Sequence, residues 1–167
     1  MPALTQAGGD YKLSLAAEVL RTGGWIRLQA QGTSMLPSLW PGDVLTIEAT
    51  NPDVIVVGDI VLVAHENRFF VHRFVKKSSF QGNPHWITRG DAVPQDDPPA
   101  APDEVLGKVA AIRRGSRVTI PSRRVSPPLR ILAKMLCHWD RFRSLALRIH
   151  AALREPEPVR DVSVGET

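Results

Sequence analysis

Residues 25–48 run Trp25-Ile26-Arg27-Leu28-Gln29-Ala30-Gln31-Gly32-Thr33-Ser34-Met35-Leu36-Pro37-Ser38-Leu39-Trp40-Pro41-Gly42-Asp43-Val44-Leu45-Thr46-Ile47-Glu48. Trp25 to Ala30 alternates between apolar and polar residues, as a strand with one buried face must. Val44 to Glu48 carries a second strand pattern. The residues between them cannot continue either strand. Gly32 gives the backbone freedom, Pro37 makes it rigid, and Pro41-Gly42-Asp43 is a turn signature. Two strands joined by a short glycine- and proline-marked excursion point to a β-rich domain, with Ser34 lifted out on the connection.

The same reading extends in both directions. Upstream, Leu13 to Leu20 carries a short helical pattern that Gly23 and Gly24 end. Downstream, strand-like runs recur at Asp59–Ala64, Phe69–Lys76, Trp86–Thr88, Val105–Ile112 and Arg117–Ile120. The stretch Pro94-Gln95-Asp96-Asp97-Pro98-Pro99-Ala100-Ala101-Pro102 is too rich in proline for helix or central strand and is a loop. The expected fold class is therefore mainly β: a compact antiparallel sheet domain over 25–122, preceded by a 1–24 segment with a short helix.

Beyond Pro127-Pro128 the periodicity changes. Leu132, Met135, Leu136, Trp139, Phe142, Leu145, Ala146, Ile149 and Leu153 recur at steps of three and four, which predicts a long amphipathic helix within 123–155, followed by a disordered tail over 156–167. The net charge of the 167 residues is +4. From Arg123 to Arg154 there are eight basic residues and one acid, Asp140, so this segment is +7 and the rest of the chain is −3. A basic amphipathic helix suits core packing, an anionic membrane surface or a partner groove; the candidate surface is Leu132–Leu153. No run of about 18 apolar residues occurs, so the expected location is cytoplasmic or peripheral to a membrane.

Several chemistries are excluded early. The single cysteine, Cys137, rules out an internal disulfide and a cysteine-rich metal site, and its apolar neighbours suit an inert thiol. His65, His72, His85, His138 and His150 have no metal-ligand spacing, so neither a metal nor another cofactor is expected. Zinc-finger, ribonucleoprotein and helix-turn-helix signatures are missing, and nucleic acid is not an expected partner.

Ser34 is the residue with chemical potential. A serine hydroxyl needs a base within hydrogen-bond reach and donors for the oxyanion, and its own backbone N–H is one such donor. Gly32-Thr33-Ser34-Met35-Leu36-Pro37 followed by Gly42-Asp43 resembles the nucleophile box of type I signal peptidases and the related self-cleaving repressors. Val71-His72-Arg73-Phe74 resembles the box that carries the base, a histidine in the endoplasmic-reticulum type. Thr88-Arg89-Gly90-Asp91 with Asp96-Asp97 resembles the third box, with Arg89 in place of its usual lysine, and Gly107-Lys108-Val109 the closing strand. These boxes fall in family order between Gly32 and Val109.

The resemblance implies Ser34 as nucleophile and His72 as general base, with Asp97 completing a Ser-His-Asp triad. Asp91 stands as a supporting or alternative acid and Asp96 as a further alternative. An imidazole can take the serine proton and return it to the leaving amine, provided a carboxylate fixes its other nitrogen. Arg73, adjacent to His72 in a strand, must face the other side and is expected in an ion pair. The family's usual small hydroxyl residue two places before the serine is Gly32 here, which leaves the Ser34 N–H and Thr33 as oxyanion candidates. Met35 and Trp40 are candidates for the apolar rim that receives an extended peptide, or for the core. The expected function is a serine endopeptidase cleaving a leader or signal peptide through an acyl-enzyme. The alternative is a non-catalytic or regulatory peptide-binding module of the same fold. Self-cleavage of the repressor kind fits less well, because only 33 residues precede Ser34.

Overall fold

The computed structural model describes residues 13–65, 68–80, 82–126, 128, 131–132 and 164–165. The chain enters as a helix over 13–21, α1, whose inward face is Ala16, Ala17 and Leu20. It ends in a Schellman closure: Gly24 N donates to Val19 O at 2.9 Å and Gly23 N to Leu20 O at 3.1 Å, with Gly23 at φ +90°. That left-handed conformation is why glycine stands there.

The strands follow as β1 Trp25–Gln29, β2 Val44–Ala49, β3 Ile60–His65, β4 Arg68–Phe80, β5 Asn83–Arg89, β6 Val105–Arg114, β7 Arg117–Thr119 and β8 Val164–Gly165. Short 3-10 turns at Pro52–Val54 and Pro102–Glu104 lead into β3 and β6. The strands make one sheet in the order β5-β4-β3-β6-β2-β1-β8, with β7 paired to β6, and the pairings are antiparallel. The expected antiparallel domain and its short N-terminal helix are thus present. Every strand expected between 25 and 122 forms.

Apolar residues collect on both faces of the sheet. On one, Ile26, Leu45, Ile47, Ile60, Leu62 and Val109 pack with α1 and with Met35 and Leu39. On the other, Ile55, Val61, Val63, Phe74, Trp86 and Val105 pack together. Alternation along β3 makes this possible: Ile60 and Leu62 serve the first face, Val61 and Val63 the second. A fully buried Ile or Leu contributes about 1.5–3 kcal/mol. With Ile26, Ile47 and Leu62 at 0% exposure, the sheet centre is a rigid base for the loops beside it.

The C-terminal expectations fall mostly outside the described residues. Residues 123–126 are irregular, 128, 131 and 132 are helical, and the other residues of the segment 123–155, expected as a basic amphipathic helix, lie outside the described residues, Cys137 included. Within the 156–167 segment expected to be disordered, Val164 and Gly165 pair with Ile26 and Trp25 on the free edge of β1.

Candidate active site

The Ser34 turn is built from its two ends. Ala30 N donates to Asp43 O and Gly42 N to Ala30 O, each at 2.7 Å, closing the excursion that the sequence places between β1 and β2. Inside it, Leu36 N donates to Thr33 O at 3.2 Å and Leu39 N to Met35 O at 3.0 Å, and Leu36-Pro37 is cis. Met35, Leu36 and Leu39 are buried and pin the turn to the core, which leaves Ser34 half-buried at its start. Met35 is therefore core rather than rim, and Trp40 is half-buried. Asp43, at 0% exposure, locks the exit. It accepts from Trp40 N at 2.8 Å and takes both prongs of the Arg114 guanidinium at 2.9 and 2.7 Å.

β4 carries His72 and Arg73 on opposite faces, as strand alternation requires. His72 Nε2 lies 2.8 Å from Ser34 Oγ, and His72 Nδ1 lies 2.6 Å from Asp97 Oδ2. The histidine side chain is 12% exposed and that of the aspartate 16%, so water is largely excluded from the line of three groups. The proline-rich loop delivers Asp97 by pairing with β5. Asp97 N donates to Thr88 O at 2.8 Å, and Trp86 and Ala100 exchange backbone hydrogen bonds at 2.8 and 2.9 Å.

Thr88 Oγ1 also donates to Asp97 Oδ2, at 2.7 Å. Burial works to raise the Asp97 carboxyl pKa, but the hydrogen bonds from His72 and Thr88 and the attraction of the imidazolium outweigh it and hold it below the ordinary carboxylate value. Asp97 is therefore an anion throughout the neutral range. With Nδ1 committed to that carboxylate, Nε2 is the nitrogen left to accept the Ser34 proton.

The other two acids lie elsewhere. Asp91, considered as a supporting or alternative acid, takes Arg73 Nε and Nη2 on its two oxygens at 2.7 Å each and accepts the Ser38 hydroxyl. Asp96, the further alternative, pairs with Arg89 at 3.3 Å and Lys76 at 3.5 Å. Neither reaches His72. Adjacent residues on an extended loop point apart, which is why Asp96 and Asp97 have different partners.

Among the described residues, the Ser34 N–H has no hydrogen-bond acceptor, and neither does the Thr33 hydroxyl. A free N–H on Ser34 is a donor that an oxyanion formed beside its hydroxyl could use. Gly90 backs the serine: a Cβ there would lie 2.6 Å from Ser34 O and 3.1 Å from its Cβ, so the close approach requires glycine. Ala92 N donates to Ser34 O at 2.8 Å and completes the support.

Sequence reasoning assigned no role to Thr88, Ser38 or Gly90. Thr88 has a signal, since it opens the third box, near the end of β5 and two residues before Gly90. Ser38 has none, because its partner Asp91 is 53 residues away in sequence.

A protein-family model described as Peptidase S24-like matches residues 1–83, which include Ser34 and His72 and end before Asp97. The match supports the broad S24/S26-type peptidase superfamily, in agreement with the mainly antiparallel sheet and its short helix, and does not select the signal-peptidase branch. No curated protein and no solved structure matches the chain significantly. Among the described residues no helix is long and apolar enough to cross a membrane.

Proposed function

We propose that this protein is a serine endopeptidase that cleaves a leader or signal peptide. The observation that carries the reading is the unbroken line Ser34 Oγ, His72 Nε2, His72 Nδ1, Asp97 Oδ2, with gaps of 2.8 and 2.6 Å, drawn from three separate loops and strands. A structural histidine needs one partner for each nitrogen. It does not need one partner to be a serine in a glycine-backed turn beside an unused N–H donor.

In the proposed reaction His72 Nε2 takes the Ser34 proton as Oγ bonds to the scissile carbonyl carbon. The carbonyl oxygen becomes an oxyanion facing the Ser34 N–H, with Thr33 as a second candidate donor. The proton then passes from Nε2 to the leaving amine, the C–N bond breaks, and an acyl-serine remains. Water, deprotonated by the same nitrogen, hydrolyses it. Asp97 stays ionised and balances the imidazolium. The resemblance supports an extended substrate with small residues before the cut, and the +7 segment over 123–154 is proposed to bring the domain to an anionic membrane surface.

The test is incubation of the purified full chain with a peptide library containing Ala-X-Ala sites, beside Ser34→Ala and His72→Ala. Cleavage by the native protein alone supports the reading. Equal cleavage by all three, or none by any in buffer, detergent or lipid, defeats it. Flotation with anionic liposomes checks the surface: binding that survives neutralisation of the basic residues between 123 and 154 removes that part.

A further inference from the structure

Arg73 uses all five of its N–H groups. Nε and Nη2 hold the two oxygens of Asp91, Nη2 also donates to Ser38 Oγ at 3.2 Å, and Nη1 donates to Gly58 O at 2.7 Å and to Ser122 O at 2.8 Å. A guanidinium has five N–H donors in a fixed plane, so this set is complete and fixes the group's orientation. Asp91 and Ser38 belong to the site. Asp91 follows Gly90 and precedes Ala92, the two residues that back Ser34, and Ser38 lies in the serine's own turn.

Ser122 comes from elsewhere, on the irregular stretch 121–124 that follows β7 and leads into the basic C-terminal segment. Three contacts seat it. Besides the Ser122 carbonyl on Arg73, Arg123 Nε donates to Asp59 Oδ1 at 2.7 Å, where Asp59 is 5% exposed. The backbone of Arg123 also lies so close to Gly58 that a Cβ there would fall 2.3 Å from Arg123 O. No other described cation comes within 3.5 Å of Asp59, and Lys108 stands at 4.0 Å.

We propose that residues 121–124 are a positioning strap for the Ser34–His72 pair, acting through Arg73. The Ser122 and Gly58 carbonyls orient the guanidinium. The guanidinium orients Asp91 and Ser38. The 90–92 loop then holds the Ser34 carbonyl through Ala92 N. Arg73, Ser122 and Arg123 touch no reacting atom and are positioning residues. Because Arg123 and Arg124 of the strap open the +7 segment over 123–154, a pull on that segment reaches Ser34 along this route. The catalytic half of the inference rests on the peptidase reading; the mechanical half does not.

The experiment uses the full chain with Arg123→Asp, which sets a second anion against Asp59, and with Arg123→Lys, which keeps the charge; the Arg123 side chain is 61% exposed, so neither change opens the core. Two readouts are taken: amide exchange at Ala92 relative to Ile26 and Leu62 in the sheet, and kcat and KM on a cleaved peptide. In Arg123→Asp, Ala92 exchange rises and kcat falls, each about tenfold, the order expected when a reacting group shifts by a fraction of an ångström, with KM within about twofold. Arg123→Lys restores both. Unchanged Ala92 exchange overturns the proposal, as does an equal rise at Ala92, Ile26 and Leu62, which would mean simple destabilisation. Should Arg123→Asp fail to fold, Arg123→Ala replaces it with the same directions expected. If the native protein cleaves nothing and Ala92 still responds selectively, the strap stands and the peptidase reading falls.

Discussion

His72 and Thr88 converge on one oxygen of Asp97: His72 Nδ1 at 2.6 Å and Thr88 Oγ1 at 2.7 Å both meet Oδ2. The carboxylate is thereby oriented by a buried hydroxyl, with Thr88 at 1% exposure. Thr88→Val keeps the shape and removes the donor. A hydrogen bond to a charged group is worth about 1.5–3 kcal/mol, so the variant should lose about that much stability in urea unfolding and roughly tenfold in kcat. No loss in either measurement would mean that Thr88 does not hold the acid.

The depressed pKa of Asp97 has a pH signature. The folded chain binds the proton less readily than the unfolded chain, whose ordinary value is near 3.8. The ionised carboxylate therefore adds stability that is fully present above that value and is lost as the pH falls through the lower folded value. Urea unfolding of the native chain and of Asp97→Asn should show a difference that shrinks as the pH falls below about 3.8. A difference that grows toward acid would contradict the assignment.

Gly90 tests the backing of the serine. An added methyl would sit 2.6 Å from a backbone oxygen, which no rotamer change can relieve. Gly90→Ala should cost about 1–3 kcal/mol of stability through overpacking and about a hundredfold in kcat, the loss that accompanies an ångström-scale displacement of a nucleophile. Retention of native kcat would show that the turn tolerates the shift.

Much of this architecture is legible in the sequence, and the reasons are local. β1 announces itself by alternation, β2 and β3 by short apolar, strand-like runs, and α1 by its spacing and by Gly23 and Gly24. Ser34, His72 and Asp97 are marked by their boxes. The choice among Asp91, Asp96 and Asp97 is not local: it depends on loop 94–102 pairing with β5, through Trp86–Ala100 and Thr88–Asp97, and no residue in the loop encodes that pairing. The Arg73 hub is half legible. Strand alternation places it opposite His72, but its bonds to Ser38 and Ser122, 35 and 49 residues away, arise only from the fold.

Arg114 and Asp43 make the second test of support. Asp43 is fully buried and its only described cation is Arg114, on β6. The Arg114 side chain is 42% exposed, so water can partly replace it. Arg114→Ala should therefore cost about 1–3 kcal/mol, below the full penalty for an abandoned buried charge. Asp43→Asn keeps the Trp40 N contact and should cost less. The reverse order in urea midpoints would assign the work to the cap rather than to the ion pair.

The central claim is that Ser34 is a nucleophile made reactive by His72 and Asp97. It is tested most directly by intact-mass measurement after incubation with a fluorophosphonate, a reagent that forms a stable ester only with an activated serine. The expected result is one phosphonyl group per chain on the native protein, localised to Ser34 by peptide mapping. Ser34→Ala and His72→Ala should take up none, and Asp97→Asn should react slower by orders of magnitude. A native chain that stays unmodified, or one labelled as fast without His72 as with it, would contradict the account.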